Sequence, residues 1–235
     1  MTLKIPYKEQ QVTPGSRRCG AASLVMVFRS FNKRCSQNDL WTKIKAPDGN
    51  DGFYGKSHKL CLIALQKGLF SLCIFVKDPI ETLRLCQKYS IRAILGHRVN
   101  GRSLEGHFTV FTKIKGNSVF VNDPALGVSR GKNRKIPSSE ILELMDGSGP
   151  ELPKNLLLIF ANKSFDDFQC STCSKPVLNS INCLNCSNQI FLQPAIVIGC
   201  LVPTCPSSMI EGLVCPHCDT VLNSATLSTI SSPSL

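Results

Sequence analysis

A chain of 235 residues is long enough for one domain with a proper core plus a small appendage. Its composition, 43% hydrophobic and 18% charged, excludes a disordered chain. The formal net charge of +11 suits an acidic peptide, a nucleic acid or an anionic membrane surface as partner, or else a plain solvated basic face.

The N-terminus, "MTLKIPYKEQQ", has no apolar run of the signal-peptide kind. The most apolar later stretch, "IFLQPAIVIGCLVP", is broken by Gln193 and two prolines and falls short of the roughly 20 apolar residues that span a bilayer. The expectation is a cytoplasmic protein. Thiols stay reduced there, so 13 cysteines call for metal, catalysis or burial rather than disulfides. Five are scattered before residue 100, and eight crowd between Cys170 and Cys218. From residue 163 onward only Lys163 and Lys175 are basic, against Asp166, Asp167, Glu211 and Asp219, so the positive charge belongs to the first part. These shifts divide the chain into a domain over 1–163, a cysteine-rich domain over 168–222, and a Ser/Thr-rich disordered tail over 223–235.

In chain order, Ala21, Leu24, Val25 and Phe28 recur at helical spacing, which predicts a helix from about Cys19. A second helix follows Ser36, with Leu40 and Ile44 on one face. "SHKLCLIALQKGL" predicts a third, capped by Ser57 and closed near Gly68. "DPIETLRLCQKY" predicts a fourth, with Asp78 as cap and Pro79 at the first helical position. "IRAILGH" and "HFTVFTKI" read as strands, and "HFTVFTKIKGNSVFVND" as a hairpin turning at Lys115, Gly116 and Asn117. "NLLLIFA" reads as a last buried strand. Helices first and an antiparallel sheet afterwards is an α+β pattern.

Cys19 stands where the first helix begins. The unpaired N–H groups and dipole of a helix N-terminus favour thiolate over thiol, and Arg17 and Arg18 are expected to add positive charge. Gly20 is expected to let another backbone approach the sulfur. A thiolate nucleophile needs a proton carrier and a group to orient it. His107 opens a strand after the loop "NGRSLEG", and Asp123 follows sixteen residues later in "VNDPALG". A hairpin centred on residue 115 sets the two side by side, about 5 Å apart, so that Asp123 can fix the imidazole tautomer. Each signal alone has an ordinary explanation: a buried thiol, a loop-edge histidine, a turn. The hairpin joins them into a set. The rival His97 has no acid in register with it, and Cys35, Cys61, Cys73 and Cys86 read as core.

The stretches "CGAASLVMVF", "GHFTVFTKI" and "VFVNDPALG", in that order, resemble the papain-like peptidase domain of bacteriocin-processing ABC transporters, the double-glycine leader peptidases. The resemblance covers about residues 5–160. It implies a papain-like fold in which Cys19 is the nucleophile, His107 the general base and acid, and Asp123 its orienting residue. It also implies a glutamine upstream of the cysteine that donates to the oxyanion, here Gln11 with Gln10 as the alternative. The gap from Gln11 to Cys19 is longer than that pattern has, because "TPGSRR" holds an extra turn. The membrane and ATPase domains of such transporters have no counterpart in this sequence.

In the second part, "CSTC" (170–173) with "CLNC" (183–186), and "CLVPTC" (200–205) with "CPHC" (215–218), form two sets of four with a common x9 spacing. The expectation is a tandem zinc ribbon with two structural Zn²⁺ sites, Cys170, Cys173, Cys183 and Cys186 in one, and Cys200, Cys205, Cys215 and Cys218 in the other. Disulfides and iron–sulfur ligation are the alternatives, and the first and fourth pairs sharing a metal is another partition. The ribbon is slightly acidic with few aromatics, which favours docking of a protein over nucleic acid. The sequence thus reads as a cysteine peptidase cleaving a peptide or protein substrate, and Gly20 and Ala21 together with the resemblance suggest a narrow segment such as Gly-Gly. A thiol acyltransferase on the same fold, and a non-enzymatic adaptor binding peptide or nucleic acid, are the alternatives.

Overall fold

The computed structural model describes residues 3–12, 17–47, 52–100, 105–147, 154–165, 169–174, 179–202, 204–223 and 226. The expected disordered tail lies outside them except at residues 223 and 226, as do residues 13–16 of the expected extra turn and residues 166–168 at the expected domain boundary.

Helix α1 (Cys19–Ser30) begins at the cysteine. Ser36 caps α2 (Gln37–Ile44), its hydroxyl accepting from the Asp39 N–H at 3.0 Å. Two short strands, β1 (Lys45–Pro47) and β2 (Phe53–Gly55), lead into α3 (Ser57–Gln66). Ser57 is not the cap expected of it: Lys56 holds that position and Ser57 is already helical. Gly68 closes the helix at a φ of +70°, a conformation that costs a glycine little. Strand β3 (Phe70–Val76) comes next, then α4 (Pro79–Tyr89), where the Asp78 carboxylate accepts from the Glu81 N–H at 2.9 Å and Pro79 opens the helix. The chain continues through β4 (Arg92–Arg98), β5 (Gly106–Lys115), β6 (Ser118–Asn122), α5 (Gly127–Gly131), β7 (Arg134–Pro137), α6 (Ser138–Met145) and β8 (Leu156–Ala161). The cysteine-rich part adds β9 (Ser180–Asn182), β10 (Gln189–Phe191), β11 (Ile210–Val214) and β12 (Val221–Asn223).

Eight strands form one antiparallel sheet in the order β12-β11-β3-β8-β4-β5-β6-β7. Helix α1 contacts α2 and α3, α4 contacts α6, and both groups touch β4 and β5. Cover on both faces explains why β4, β5 and β8 read as unbroken apolar runs instead of alternating. The fold is α+β, as expected, with one departure. "FSLCIFV" is the strand β3, set between α3 and α4 in sequence and between β8 and β11 in the sheet, so the helices do not all precede the strands. It has no period-2 pattern because it is buried on both faces. Among the described residues no helix is long and apolar enough to cross a membrane.

The hairpin of β5 and β6 turns one step later than expected. Lys115 pairs with Ser118, and a bulge between Phe111 and Lys113 shifts the register so that Val110 faces Asn122. His107 and Asp123 are therefore not cross-strand partners. Instead His107 pairs with His97 of β4, and Asp123 lies just beyond the end of β6. The bulge adds twist, and the Asp123 side chain reaches back over the sheet to the imidazole.

Candidate active site

Strand β5 brings His107 to the start of α1, and the buried Ser23 hydroxyl, donating to the Phe108 carbonyl at 3.2 Å, fixes helix to strand. His107 Nε2 lies 2.8 Å from Asp123 Oδ1, and the Cys19 thiol hydrogen-bonds to the same ring. With Nε2 committed to the carboxylate, Nδ1 is the nitrogen left for the sulfur. Cys19, His107 and Asp123 are 6%, 8% and 2% exposed, so this charge relay is largely shielded from water.

Charge follows from that chain of contacts. Burial opposes ionisation of Cys19, but the His107 hydrogen bond and charge, with the Phe108 and Gly20 backbone N–H groups, outweigh it and hold the thiol below its ordinary value. His107 is raised to about 10: burial works against its charge, and Asp123 and Cys19 overcome it. Asp123 is lowered to about 2 against its own burial, by His107, the Ala125 N–H and Arg134. The other early cysteines show what burial does where no histidine opposes it. It pushes Cys61 and Cys86 up to about 12 and Cys35 to about 11, and it raises Cys73 well above the ordinary thiol value. What separates Cys19 from them is His107. The arrangement favours a thiolate–imidazolium pair held by a carboxylate.

Several supporting groups escaped the sequence reading. Arg134 Nη1 donates to Asp123 Oδ2 at 2.9 Å, Tyr7 donates its hydroxyl proton to the Asp123 carbonyl at 3.0 Å, and the Asp123 N–H donates to the Gly131 carbonyl at 2.8 Å. Arg134 comes from β7, and only the pairing of β7 with β6 reveals it. His97 rests edge-on against His107 with ring centroids 5.4 Å apart. Its Nδ1 meets the Arg98 carbonyl at 2.7 Å and must carry the proton, so Nε2 accepts from Thr109 at 3.0 Å. Burial and the neighbouring His107 charge press it down to about 4, so it stays neutral.

Other expectations need correction. Arg18 does not face the sulfur: its guanidinium stacks over Trp41 at 5.6 Å and donates to Asn38 and Gln11. Nor does Gly20 open a path for substrate, since the space a Cβ there would take is closed by Phe108 and Leu60, and Ala21 is fully buried. Gln11 is exposed and tied to Arg18, lining a shallow pocket with Asn38 and Trp41. Gln10 takes the inner side of this extended segment. Its N–H donates to the Pro124 carbonyl at 2.9 Å, and its amide oxygen is buried without a hydrogen-bond partner among the described residues. The Gln37 amide, donating to the Glu9 carbonyl and accepting from the Gln11 N–H, holds the segment from the opposite side.

The eight late cysteines form two tetrads, but not the expected ones. Cys170, Cys173, Cys200 and Cys205 gather in one, and Cys183, Cys186, Cys215 and Cys218 in the other. The reason is geometric. Cys183 and Cys186 sit at the tip of the β9–β10 hairpin, and Cys215 and Cys218 at the tip of the β11–β12 hairpin. Within each repeat a strand separates the two cysteine pairs, and the five extended residues of β11 span about 16 Å. One repeat cannot close a site on itself, so tip meets tip and base meets base. The closest sulfur pairs lie 3.6–3.7 Å apart. Four thiolates about 2.3 Å from a tetrahedral ion stand about 3.8 Å from one another, so both tetrads fit a metal ion.

The sequence matches the model of the Peptidase C39 family over residues 6–141, more than half of its length. The chain belongs to this family and is a cysteine-type peptidase. A putative C39-like peptidase from Bacillus anthracis is 16% identical, with a TM-score of 0.52 over 69% of this chain and 98% of that one. The double glycine motif protease of an AMS/PCAT transporter, solved with its leader peptide, is 21% identical, with a TM-score of 0.47 over 68% of this chain and 92% of that one. The peptidase domain of Streptococcus ComA, a bifunctional ABC transporter of a quorum-sensing pathway, is 18% identical, with a TM-score of 0.48 over 67% and 100%. No curated protein is similar enough to this chain to count as a relative.

Proposed function

We propose that this peptidase acts through Cys19, His107 and Asp123. The Cys19 thiolate attacks the scissile carbonyl and the tetrahedral intermediate collapses to a thioester as His107 Nδ1 delivers its proton to the leaving amine. His107 then takes a proton from water as the oxygen adds to the thioester carbonyl, and expulsion of the sulfur releases the acid product and restores the thiolate–imidazolium pair. Asp123 keeps Nε2 protonated throughout. The observation that carries this reading is the 2.8 Å contact between His107 Nε2 and Asp123, with Cys19 on the other side of the same ring. We assign the oxyanion to the Cys19 N–H and the side-chain amide of Gln10 rather than Gln11, because Gln10 is the inward residue of the two.

The proposed substrate is a peptide with small residues before the scissile bond, as the names of the double-glycine proteases suggest. The proposed ions are two structural zincs, each closed by four thiolates and so without an open position for chemistry. The outer face of the zinc module, where Leu184 and Phe191 are exposed, is the proposed docking surface for a protein partner.

Product analysis by mass spectrometry tests the reaction. Peptides containing Gly-Gly, incubated with and without a free amine, should yield the free acid in both cases and nothing from the Cys19→Ala variant. Accumulation of the amine adduct would make the protein a transferase on the same fold, and no cleavage of any peptide would favour the binding module.

A further inference from the structure

The cleft beside Cys19, about 380 Å³, is not built by the peptidase part alone. Val214, Asp219 and Val221 of the C-terminal segment line it together with Cys19, Phe108 and Phe75. They are placed there by strand pairing. Strand β11 adds to the edge of β3, and the register runs Leu158 to Cys73 to Val214 to Val221 straight across four strands. Directly opposed residues share a face of a sheet, so these side chains stand in one row. Phe75 and Leu156, two positions along their strands, stand on the same face. Where the Phe75 ring needs space, β11 carries Gly212: a Cβ there would come within 3.3 Å of the ring and 2.9 Å of the Leu222 carbonyl.

The hairpin tip is anchored as well as paired. Asp219, just past the last cysteine, meets Lys56 Nζ at 3.3 Å and His58 Nδ1 at 2.7 Å, on the first residues of α3. Cys183 and Cys215 of the tip tetrad belong to the main hydrophobic core, whereas Cys170, Cys200 and Cys205 form a separate cluster. The hairpin and both tetrads lie beyond residue 141, where the family match ends.

We infer that the β11–β12 hairpin is a specificity wall of the cleft and completes, beside Cys19, a subsite for an apolar side chain of the peptide. Val221 is its outermost element, an edge-strand valine that remains 56% exposed although it faces the cleft. A bound apolar side chain would cover it, at the gain expected for hydrophobic burial. This rests on the proposed role of Cys19 as the attacking group, and the test separates the two.

Two alkylating probes are compared on the full metal-loaded chain: iodoacetamide, which is small and polar, and a chloroacetamide bearing a phenethyl group. Each rate is read by mass spectrometry of the Cys19 peptide and expressed relative to the same probe's rate with a free thiol. Wild type should favour the phenethyl probe. Val221→Asn should cut that preference about tenfold while leaving the iodoacetamide rate unchanged. The unchanged iodoacetamide rate reports that the fold is intact, and Val221→Ser gives a milder version of the same loss. A preference equal in wild type and both variants, or no preference in wild type, would overturn the subsite. An iodoacetamide rate no faster than that of a free thiol, with the phenethyl preference of wild type kept and lost in the variants, would contradict the thiolate reading alone, because the ratio between probes still reports the wall.

Discussion

Glutamines 10 and 11 are neighbours in sequence and opposites in environment. One is half-buried, its amide oxygen shielded and without a hydrogen-bond partner among the described residues, and the other is exposed and bound to Arg18. Replacing Gln10 by Ala should lower kcat about 10²–10³-fold with little change in KM, the usual cost of one oxyanion donor, whereas Gln11→Ala should leave both unchanged. Steady-state kinetics of the two variants checks this, and equal effects would reverse the assignment. The same scale sets the response to pH. His107, raised from 6.5 to about 10, contributes stability that is fully present below its unfolded value and lost as pH rises through about 10. Asp123, lowered from 3.8 to about 2, contributes stability present above its unfolded value and lost as pH falls through about 2. Between the lowered Cys19 value and about 10 the thiolate–imidazolium pair persists, and the activity profile should share that window.

At the scale of elements, the sequence announced what is local. The helix starting at Cys19, the Asp78 cap with Pro79, and the β5–β6 hairpin are set by spacing, capping and turn residues that lie close together in the chain. It concealed what depends on distant packing. The turn lies between Lys115 and Ser118 and not around Lys115, which carries Asp123 out of register with His107, and β3, buried on both faces, carries no period to read. Arg134 was invisible because its role exists only once β7 has paired with β6. The cysteine partition failed for a related reason: spacing reports which thiols share a turn, not which turns meet. The short α5 shows how tightly these elements hold the site. Its Gly131 carbonyl accepts from the Asp123 N–H, and a Cβ on Gly131 would collide with the Asp123 carbonyl and the Tyr7 hydroxyl. Gly131→Ala should therefore destabilise the protein by about 1–3 kcal/mol and displace Asp123, lowering kcat. Denaturant melts together with kinetics test this, and an unchanged midpoint would show that the loop gives way freely.

For the whole molecule, peptidase part and cysteine-rich part share one sheet, so their stabilities are coupled. Strands β11 and β12 form one end of the eight, and β3 joins them to the rest of the sheet. Removing both ions should lower the melting temperature of the entire chain in a single transition and alter the cleft, since Val214 and Asp219 each adjoin a cysteine of the tip tetrad. Elemental analysis should find two zinc ions per chain, and calorimetry after chelation should show the shift. A module that melted separately while the Cys19 alkylation rate stayed constant would show that the shared strands do not couple the two parts.

The measurement closest to the central claim is the rate of Cys19 alkylation by iodoacetamide as a function of pH, in wild type and in His107→Ala. The ion pair predicts rapid labelling already below neutral pH in wild type. In the variant, burial acts on the thiol against only the Phe108 and Gly20 backbone N–H groups, and labelling should rise only near or above the ordinary thiol value of about 8.5. Superimposable curves would mean that His107 does not activate Cys19, and would contradict the account.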